Sequence, residues 1–467
     1  MEYDILVVGS GPGGYVASIR ASQLGYKVAI VEKEHIGGIC LNWGCIPTKA
    51  LLKSAQVAEY IKHSAEYGIE ATGKPNFEAV IKRSRQVAEK MNKGVSFLLK
   101  KNKIDIIEGL GRLHSNHQVE VTDKNNVATV YEAKHIILAT GAKARLLPSI
   151  KIDGKKIISY KEALSLSQLP TSMLVIGSGA IGMELAYFYH TMGTKVTIVE
   201  YMNRLVPQED EEVSKEIARI YRKKGIEIFT EGNVEKCTLK EDKVITQIKT
   251  PQSILDIESE VVLSAVGITP NIEDIGLEKL NIAVENGRVV VDEFYHTSTN
   301  NVYAIGDIIN TPALAHVASH EAIICVEHIA HTENKLAHSP LALDYTNIPS
   351  CIYTTPEIAS VGFTETQAKE KGYDIKVGKF PFSASGKATA SGANEGFVKM
   401  IYDAKYGELL GMQAIGMNVT EIIAEGIIAR KLETTYQEIL DAVHAHPTMH
   451  EAIMEATALA YGECIHL

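Results

Sequence analysis

Two glycine-rich motifs with the same spacing constrain the fold of this chain more than any other feature of its sequence. An apolar run at Tyr3–Val8 leads into the first motif, and a run at Met173–Ile176 leads into the second. The glycines are Gly9, Gly11 and Gly14 in the first motif, and Gly177, Gly179 and Gly182 in the second. Each motif continues as a helix-like segment and a strand that ends in an acid, and Glu32 and Glu200 both lie 23 residues after the first glycine. This pattern predicts two βαβ units and therefore an α/β fold with parallel sheets.

The residue types of each motif suit a bound dinucleotide. Glycines permit a tight turn and let the backbone approach a pyrophosphate, the helix N-terminus attracts its charge, and the terminal acid accepts from a ribose hydroxyl. A single Gly-x-Gly-x-x-Gly is a weak signal, but here strand, helix and acid accompany both copies. Two such sites on one chain predict an electron relay between two redox cofactors rather than a single dehydrogenase.

The acid of the second motif predicts which nicotinamide cofactor binds. A carboxylate at Glu200 accepts from the free 2′-hydroxyl of NAD and repels the 2′-phosphate of NADP. Arg204 lies four positions on and is the one residue nearby that favours NADP. We interpret Arg204 as a solvated side chain, and the sequence therefore predicts NAD.

The segment Gly37–Lys49, with the sequence GGICLNWGCIPTK, holds a cysteine pair that we interpret as redox-active. About one helical turn between Cys40 and Cys45 would meet the Cα separation of roughly 4.4 to 6.8 Å that a disulfide needs. A helix that starts near Cys45, with Pro47 in its first turn, lowers the thiol pKa toward the reactive thiolate. The alternatives for this spacing are a structural disulfide, half of a zinc site, or two buried thiols. The remaining cysteines are scattered, which is typical of a reducing compartment: Cys237, Cys325, Cys351 and Cys464.

The stretch HAHPTMHE near the carboxyl end places a histidine beside an acid. We expect Pro447 to open the last helix, with His446 just outside it and Glu451 in its first turn, where the carboxylate can reach the imidazole. A histidine held by a carboxylate is the usual device for general acid–base catalysis, although this motif alone is a weak signal. His316 and His320 have the spacing of a metal pair but lack a third ligand, so we interpret them as core or surface histidines and predict no metal site.

Length and composition set the domain number and exclude some functions. At 467 residues the chain is expected to form several domains. A net charge of -10 argues against a nucleic-acid surface. The amino terminus, MEYDILVVGS, has acidic residues where a targeting segment would be basic, and no apolar run approaches the roughly 20 residues of a membrane span. We therefore expect no nucleic-acid and no membrane role, and a location in a bacterial cytoplasm or an organelle matrix.

Together these motifs resemble one family along essentially the whole chain, the pyridine nucleotide-disulfide oxidoreductases, and within it the dihydrolipoamide dehydrogenases. The resemblance implies two Rossmann-like domains that bind FAD and NAD and a carboxyl-terminal α+β dimerisation domain. It also implies a homodimer that oxidises dihydrolipoamide on the lipoyl domains of 2-oxo acid dehydrogenase or glycine-cleavage complexes, with electrons passing through a Cys40–Cys45 disulfide and FAD to NAD. The boundaries expected are 1–147 for the FAD domain, 148–270 for the NAD domain, 271–345 for a central domain that completes the FAD site, and 346–467 for the interface domain.

The resemblance also implies roles for individual residues. Cys40 resembles the sulfur that exchanges with substrate and Cys45 the sulfur that contacts the flavin. Lys49 is similar to the lysine that lies against the flavin ring, with Glu184 as its ion-pair partner. His446 and Glu451 resemble the base and its orienting acid, which in this family reach the disulfide of the other subunit. The FAD contacts implied are Gly9, Gly11, Gly14, Glu32, Lys49, Gly111, Thr140, Gly141, Gly306, Asp307, Leu314, Ala315 and His316. The NAD contacts implied are Gly177, Gly179, Gly182, Glu200, Val234, Ala265 and Gly267.

The sequence departs from the family pattern at a few positions and leaves some alternatives. Trp43 stands where a small aliphatic residue is common, and Thr48 and His450 stand where serine is common. A glutathione-type reductase would want basic residues at Glu200, a mercuric reductase would want a carboxyl-terminal cysteine pair, and a soluble transhydrogenase normally lacks the first redox cysteine. A mainly structural subunit of a multienzyme complex is the alternative from another class, and the retained cysteines argue for catalysis.

Overall fold

Each glycine motif follows the first strand of a parallel sheet. The computed structural model describes residues 2–467. The α-helices are α1 (Pro12–Gln23), α2 (Gly38–Trp43), α3 (Cys45–Lys62), α4 (Phe77–Lys101), α5 (Tyr160–Ala163), α6 (Ala180–Met192), α7 (Glu211–Lys223), α8 (Ala315–Thr332), α9 (Glu365–Glu370), α10 (Gly386–Ala390), α11 (Val419–Lys431), α12 (Tyr436–Asp441) and α13 (Glu451–Tyr461). The strands are β1 (Glu2–Val8), β2 (Val28–Glu32), β3 (Asp105–Glu108), β4 (Leu110–Ser115), β5 (Gln118–Thr122), β6 (Ala128–Leu138), β7 (Ala142–Ala144), β8 (Ile157–Ile158), β9 (Ser172–Ile176), β10 (Lys195–Val199), β11 (Glu227–Phe229), β12 (Asn233–Lys240), β13 (Lys243–Lys249), β14 (Ile254–Ser259), β15 (Val261–Ser264), β16 (Ile268–Pro270), β17 (Val284–Glu285), β18 (Arg288–Val289), β19 (Val302–Ala304), β20 (Ser350–Ile352), β21 (Glu357–Gly362), β22 (Ile375–Pro381), β23 (Phe397–Asp403) and β24 (Leu409–Gly416).

The chain divides into two units by its backbone contacts, and the first contains the first glycine motif. This unit comprises the stretch ending at Ala50, Ala79–Arg145 and Ile268–Tyr345. Its main sheet has the order β3-β2-β1-β6-β5-β4, with β19 paired to β6. Strands β1, β2, β3 and β19 join this sheet in parallel, whereas β4 and β5 form an antiparallel extension. Helix α1 packs against α8, and the first glycine turn lies between β1 and α1.

The second unit contains the second glycine motif and the carboxyl-terminal domain. It comprises Leu51–Glu78, Leu146–Gly267 and Thr346–Leu467. A parallel sheet with the order β11-β10-β9-β15-β8 carries the glycine turn after β9, and β12, β13 and β14 form a separate antiparallel sheet. The carboxyl-terminal domain is an antiparallel sheet with the order β20-β21-β24-β23-β22, against which α11 and α13 pack.

Burial explains why these segments form the strands that they do. Strands β9 and β15, with the sequences SMLVI and VVLS, are buried along almost their whole length, as central strands of a parallel sheet covered on both faces are expected to be. Strand β13 alternates buried and accessible residues, which is the pattern of an antiparallel strand with one face in water. The α/β class and the antiparallel carboxyl-terminal sheet with helices on it are thus confirmed.

Several element predictions hold closely and others were incomplete. A helix begins at Cys45, as the sequence predicts. The three-stranded sheet β12-β13-β14 was not predicted, because its strands are exposed on one face and carry many charged residues. No helix in residues 2–467 is both long enough and apolar enough to cross a membrane.

Candidate active site

The first glycine motif forms a tight turn between β1 and α1. Gly9 has a φ of 102°, and a Cβ there would lie 2.3 Å from the Ala139 carbonyl oxygen, so the position requires glycine. A Cβ on Gly14 would lie 1.8 Å from the Gly9 carbonyl oxygen, so this glycine lets α1 pack on the turn. At Gly11, by contrast, a Cβ would have no heavy atom of residues 2–467 within 4 Å apart from its chain neighbours. The motif therefore leaves bare backbone at the start of α1, where a pyrophosphate has room to approach.

Glu32, at the end of β2, is held against this turn by hydrogen bonds. Its Oε2 accepts from the Ser10 N–H at 3.0 Å and from the Ser10 hydroxyl, and its Oε1 accepts from the Glu34 N–H at 2.8 Å. An ionised carboxylate has about four acceptor sites, so one remains for a ribose hydroxyl. The arrangement of the turn and the acid fits a dinucleotide.

The second glycine motif repeats this geometry. Gly177 has a φ of 96°, and its Cβ would lie 2.5 Å from the Ala265 carbonyl oxygen. A Cβ on Gly182 would lie 2.0 Å from the Gly177 carbonyl oxygen, and Gly179 again faces open space within the described chain. The predicted residue Ala265 thus closes the turn through its backbone, directly after β15.

Glu200 accepts the same set of hydrogen bonds from its glycine turn as Glu32 does. Its Oε2 accepts from the Ser178 N–H at 2.8 Å and the Ser178 hydroxyl at 2.6 Å, and its Oε1 accepts from the Met202 N–H at 2.8 Å. Arg204 donates to the Pro207 carbonyl at 2.9 Å, which ties its guanidinium to the backbone. The sequence interpretation of Arg204 as a solvated side chain was therefore incomplete, because the residue is half-buried and hydrogen-bonded.

The cysteine pair lies where two short helices meet. Cys40 lies in α2 and Cys45 is the first residue of α3, with Gly44 between the helices. The hydrogen bond between the Cys40 and Cys45 side chains, followed by burial, raises the pKa of Cys40, whereas the Lys49 ammonium acts in the opposite direction. Burial, followed by electrostatic interaction with Cys40 and Cys45, raises the pKa of Tyr15 on α1. The structure thus brings Cys40, Cys45 and Lys49 together at the first glycine motif.

The predicted residues near Asp307 and Thr140 lie at the ends of strands in the first unit. Burial raises the pKa of Asp307, while the Arg288 guanidinium acts in the opposite direction. The Thr140 hydroxyl donates to the Asn271 carbonyl at 2.7 Å, and the Asn271 amide donates to the Thr140 carbonyl at 3.0 Å. These bonds fix the segment that leads into Gly141 and β7.

Glu321 is a buried acid that the sequence analysis did not single out. Its Oε2 accepts from the Gly306 N–H at 2.6 Å, and its Oε1 accepts from the Tyr345 hydroxyl at 2.9 Å. The side chain is fully buried, and burial raises its pKa. It holds the backbone next to Asp307. A buried acid on an otherwise apolar helix face, α8, was the sequence signal that could have identified it.

The other predicted cofactor contacts occupy strands, turns and helix starts. Gly111 lies in β4, where a Cβ would come 3.0 Å from Val8 Cγ1. Leu314 is the residue before α8, and Ala315 and His316 are the first two residues of that helix. In the second unit, the Val234 side chain packs in the hydrophobic core and Gly267 has a φ of 103°.

The two members of the predicted ion pair lie on different helices. Lys49 is in α3 and belongs to the first unit, and Glu184 is in α6 and belongs to the second. Glu184 is buried, and its Oε1 accepts from the Tyr353 N–H at 3.0 Å. The pairing of Lys49 with Glu184 stays a prediction.

His446 and Glu451 meet as the sequence predicts, although the local structure differs. His446 Nδ1 lies 2.8 Å from Glu451 Oε1, and the histidine side chain is 77% exposed. Burial opposes ionisation of Glu451, but the Thr448 N–H and the imidazole together hold its pKa below the ordinary value. The expectation that Pro447 opens the last helix is wrong, because α13 begins at Glu451. Glu451 Oε2 accepts from the Thr448 N–H at 2.7 Å, and this turn occupies the residues that were expected to be helical.

A second histidine–carboxylate cluster flanks this pair and was missed from the sequence. Glu425, on α11, lies 2.7 Å from His444 Nε2 and 2.7 Å from His450 Nδ1 through its two oxygens. His444 and His450 bracket His446 in the chain, so Glu425 fixes both ends of the segment that carries it. Among the described residues, no group of three or more histidine, cysteine or acidic side chains is placed to hold a metal ion.

Comparisons with known proteins agree along the whole chain. Residues 3–322 match the family described as pyridine nucleotide-disulphide oxidoreductase, and residues 348–457 match its dimerisation domain. The chain is similar to the dihydrolipoyl dehydrogenase of Rhizobium etli, with 46% identity over 100% of this chain and 99% of the relative. It is also similar to the dihydrolipoyl dehydrogenase of Zymomonas mobilis, with 45% identity over the same shares. Among solved structures, the HOCl-induced flavoprotein disulfide reductase RclA from Escherichia coli, in a Cu(II) complex, has a TM-score of 0.88 and 27% identity, covering 98% of this chain and 99% of that one.

Proposed function

The chain belongs to the pyridine nucleotide-disulphide oxidoreductase family, and from this we propose that it oxidises protein-bound dihydrolipoamide to lipoamide with NAD as the final acceptor. The contact between the Cys40 and Cys45 side chains, which follow the first βαβ unit in the chain, carries the proposal. We infer the substrate from relatives at 45% to 46% identity, which are named dihydrolipoyl dehydrogenase. FAD and NAD are the two cofactors of the proposed reaction.

The glycine motifs fit these two cofactors. Gly11 and Gly179 each present bare backbone at a helix start, and Glu32 and Glu200 each keep an acceptor site for a ribose hydroxyl. We propose that the first motif, with Thr140, Gly306 and Asp307, holds FAD and that the second motif holds NAD. When bound, FAD supplies a two-electron acceptor between a dithiol and the nicotinamide.

The side chains of this protein handle sulfur and protons. His446 takes the proton of one substrate thiol, because only the thiolate is nucleophilic. That thiolate attacks Cys40 Sγ, the Cys40–Cys45 bond breaks, and Cys45 leaves as a thiolate. The second substrate thiol then loses its proton, attacks the substrate sulfur of the mixed disulfide and displaces Cys40, which takes that proton. The substrate thereby becomes a disulfide and the protein pair gains two electrons. Glu451 holds the imidazole at 2.8 Å and stabilises it once it carries the proton.

Other features of the proposal come from the family resemblance and from the matched dimerisation domain. We propose a homodimer in which the base serves the disulfide of the second subunit, and lipoyl domains of 2-oxo acid dehydrogenase or glycine-cleavage complexes as partners. The proposed Lys49–Glu184 pair would lie beside the flavin. A cytoplasmic location and the domain boundaries 1–147, 148–270, 271–345 and 346–467 stay predictions.

Anaerobic turnover of the purified holoenzyme tests the proposal. NADH and NADPH are offered in turn, with lipoamide or glutathione disulfide as acceptor. We expect NADH with lipoamide to give the highest turnover. Faster turnover with NADPH and glutathione disulfide would contradict both the substrate and the role given to Glu200.

A further inference from the structure

The relative position of Cys40 and Cys45 depends on a short junction between two helices. Helix α2 carries Cys40 and ends at Trp43, α3 begins at Cys45, and Gly44 alone separates them. Any rotation of one helix against the other about this junction therefore moves one sulfur away from the other. What holds residues 42–44 in place also sets the geometry of the redox pair.

One side chain from a third helix holds this junction at two points. Arg85, on α4, donates from Nη2 to the Asn42 carbonyl, and its guanidinium lies over the Trp43 ring at 4.4 Å from the ring centroid. The Asn42 carbonyl belongs to the last turn of α2, where carbonyls lack partners within the helix. Arg85 thus caps α2 and covers the last residue of that helix with one planar group.

The Trp43 indole in turn stabilises the buried guanidinium of Arg85. Burial lowers the pKa of Arg85, and Arg85 Nη1 is buried without a hydrogen-bond partner among residues 2–467. The face of an aromatic ring attracts a cation and replaces part of the water that the cation has lost. A small aliphatic residue at position 43 would not offer such a face, so Trp43 and Arg85 form one unit.

Two other side chains of α4 also contact the redox segment. Asn92 donates to the Ile36 carbonyl at 2.6 Å, before α2, and Arg83 donates to the Ala50 carbonyl at 2.7 Å, beyond the first turn of α3. Asn92 also donates to the Asn42 side-chain oxygen at 3.4 Å. Arg85 differs from it in bonding the Asn42 backbone carbonyl and in covering the Trp43 ring. Arg83 is therefore a matched control of the same residue type on the same helix.

We propose that the Arg85–Trp43 stack is a positioning device that holds the α2–α3 junction and thereby stabilises the disulfide form of Cys40 and Cys45. The inference rests on the proposed function, which requires this pair to cycle between disulfide and dithiol. In each cycle the sulfur–sulfur bond breaks as two electrons and two protons enter, and the sulfurs separate from about 2.0 Å. A held junction keeps each thiol at high effective concentration for the other and so favours the disulfide.

The test measures the disulfide–dithiol equilibrium of the holoenzyme in dithiothreitol buffers without oxygen. Dithiothreitol supplies the two electrons and becomes a cyclic disulfide, and alkylation followed by mass spectrometry reports the state of Cys40 and Cys45. We expect Arg85→Gln and Trp43→Val each to shift the equilibrium about tenfold toward the dithiol, which is about 30 mV for two electrons. Trp43→Phe keeps an aromatic face, so its equilibrium is expected to lie close to that of the wild type. Arg83→Gln is expected to behave as the wild type.

Two further measurements separate positioning from loss of fold and from failure of the proposed function. Flavin absorbance and the midpoint of thermal unfolding check that each variant is intact, and Arg85→Gln carries the test if Trp43→Val does not fold. Because Trp43 is the only tryptophan, its fluorescence should become more accessible to acrylamide in Arg85→Gln but not in Arg83→Gln. Equilibria of Arg85→Gln and Trp43→Val that match Arg83→Gln would overturn this inference alone. A wild-type protein in which Cys40 and Cys45 never resist alkylation would overturn the proposed function as well.

Discussion

The two glycine motifs have the same backbone conformation, but their serine hydroxyls accept hydrogen bonds from different segments of the chain. Ser10 and Ser178 follow the first glycine of each motif, and each donates its N–H and hydroxyl to the acid 22 positions on. The Ser10 hydroxyl also accepts from the Gly37 N–H at 3.2 Å, whereas the Ser178 hydroxyl accepts from the Val206 N–H at 3.1 Å. The same turn thus anchors the redox segment in the first motif and a loop beyond Glu200 in the second. The two turns therefore differ in the segment that each one anchors.

The attached segments also differ in how closely they approach the glycine turn. A Cβ on Gly38 would lie 2.7 Å from Gly11 Cα, so the redox segment begins in contact with the first turn. After the second motif, Tyr201 and Met202 are exposed instead. The cysteine-bearing segment therefore contacts the first turn, whereas the residues that follow Glu200 are exposed.

The largest expected effect separates the dithiol half of the reaction from the nicotinamide half. His446→Gln removes the base and leaves both glycine motifs unchanged, so lipoamide turnover is expected to fall about 10²- to 10⁴-fold. Reduction of the bound flavin by NADH, followed by stopped-flow absorbance, should keep its wild-type rate. His450→Ser, four residues away, removes one contact of Glu425 but keeps the His446 imidazole, so turnover should fall much less. Near-normal lipoamide turnover in His446→Gln would remove the role given to this histidine.

The next effect compares the open glycines of the two motifs. Gly11 and Gly179 have φ values of -62° and -68°, so alanine strains neither backbone, and its methyl group would enter only the space that a pyrophosphate needs. Gly11→Ala should weaken flavin binding and Gly179→Ala should raise the KM for NADH, each about 10- to 200-fold. Flavin content and steady-state kinetics measure these changes, and the thermal midpoint of each apoprotein should stay at the wild-type value. An unfolded apoprotein, or loss of flavin in Gly179→Ala, would break the assignment of one cofactor to each motif.

A smaller effect concerns cofactor preference at the second motif. Glu200→Gln removes the charge that repels a 2′-phosphate but keeps an oxygen for the Ser178 N–H. The preference for NADH over NADPH in kcat/KM should fall about tenfold, or about 1.4 kcal/mol. The matched change Glu32→Gln should leave the preference unaltered. An unchanged ratio in Glu200→Gln would mean that another group, such as Arg204, sets the preference.

Both glycine motifs, the cysteine pair and the His446–Glu451 contact could be predicted because each depends on residues close in the sequence. The αL turn at Gly9 and the strand–turn–helix order follow from local backbone rules. Glu321 bonding to Gly306, and Glu425 bonding to His444 and His450, could not be predicted in this way, because the acids lie on helices 15 to 25 residues from their partners. The start of α13 was misplaced because the Thr448–Glu451 hydrogen bond forms a turn in preference to a helix that starts at Pro447.

The smallest expected effect tests what each serine hydroxyl holds. In Ser10→Ala the Gly37 N–H keeps the Ser10 carbonyl as an acceptor at 3.1 Å. The free energy of unfolding should therefore fall by about 0.5 to 1.5 kcal/mol. In Ser178→Ala the Val206 N–H loses its one acceptor among residues 2–467. The free energy of unfolding should therefore fall by about 1 to 3 kcal/mol.

Val206 makes the second loss the larger one. It is a β-branched residue with a φ of 41°, a conformation that needs support from its surroundings. Calorimetry of both holoenzymes measures the difference, and Ser178→Ala should unfold at the lower temperature. The reverse order would show that the redox segment depends on the Ser10 hydroxyl more than on the Ser10 carbonyl, and that the two turns are less alike in energy than in geometry.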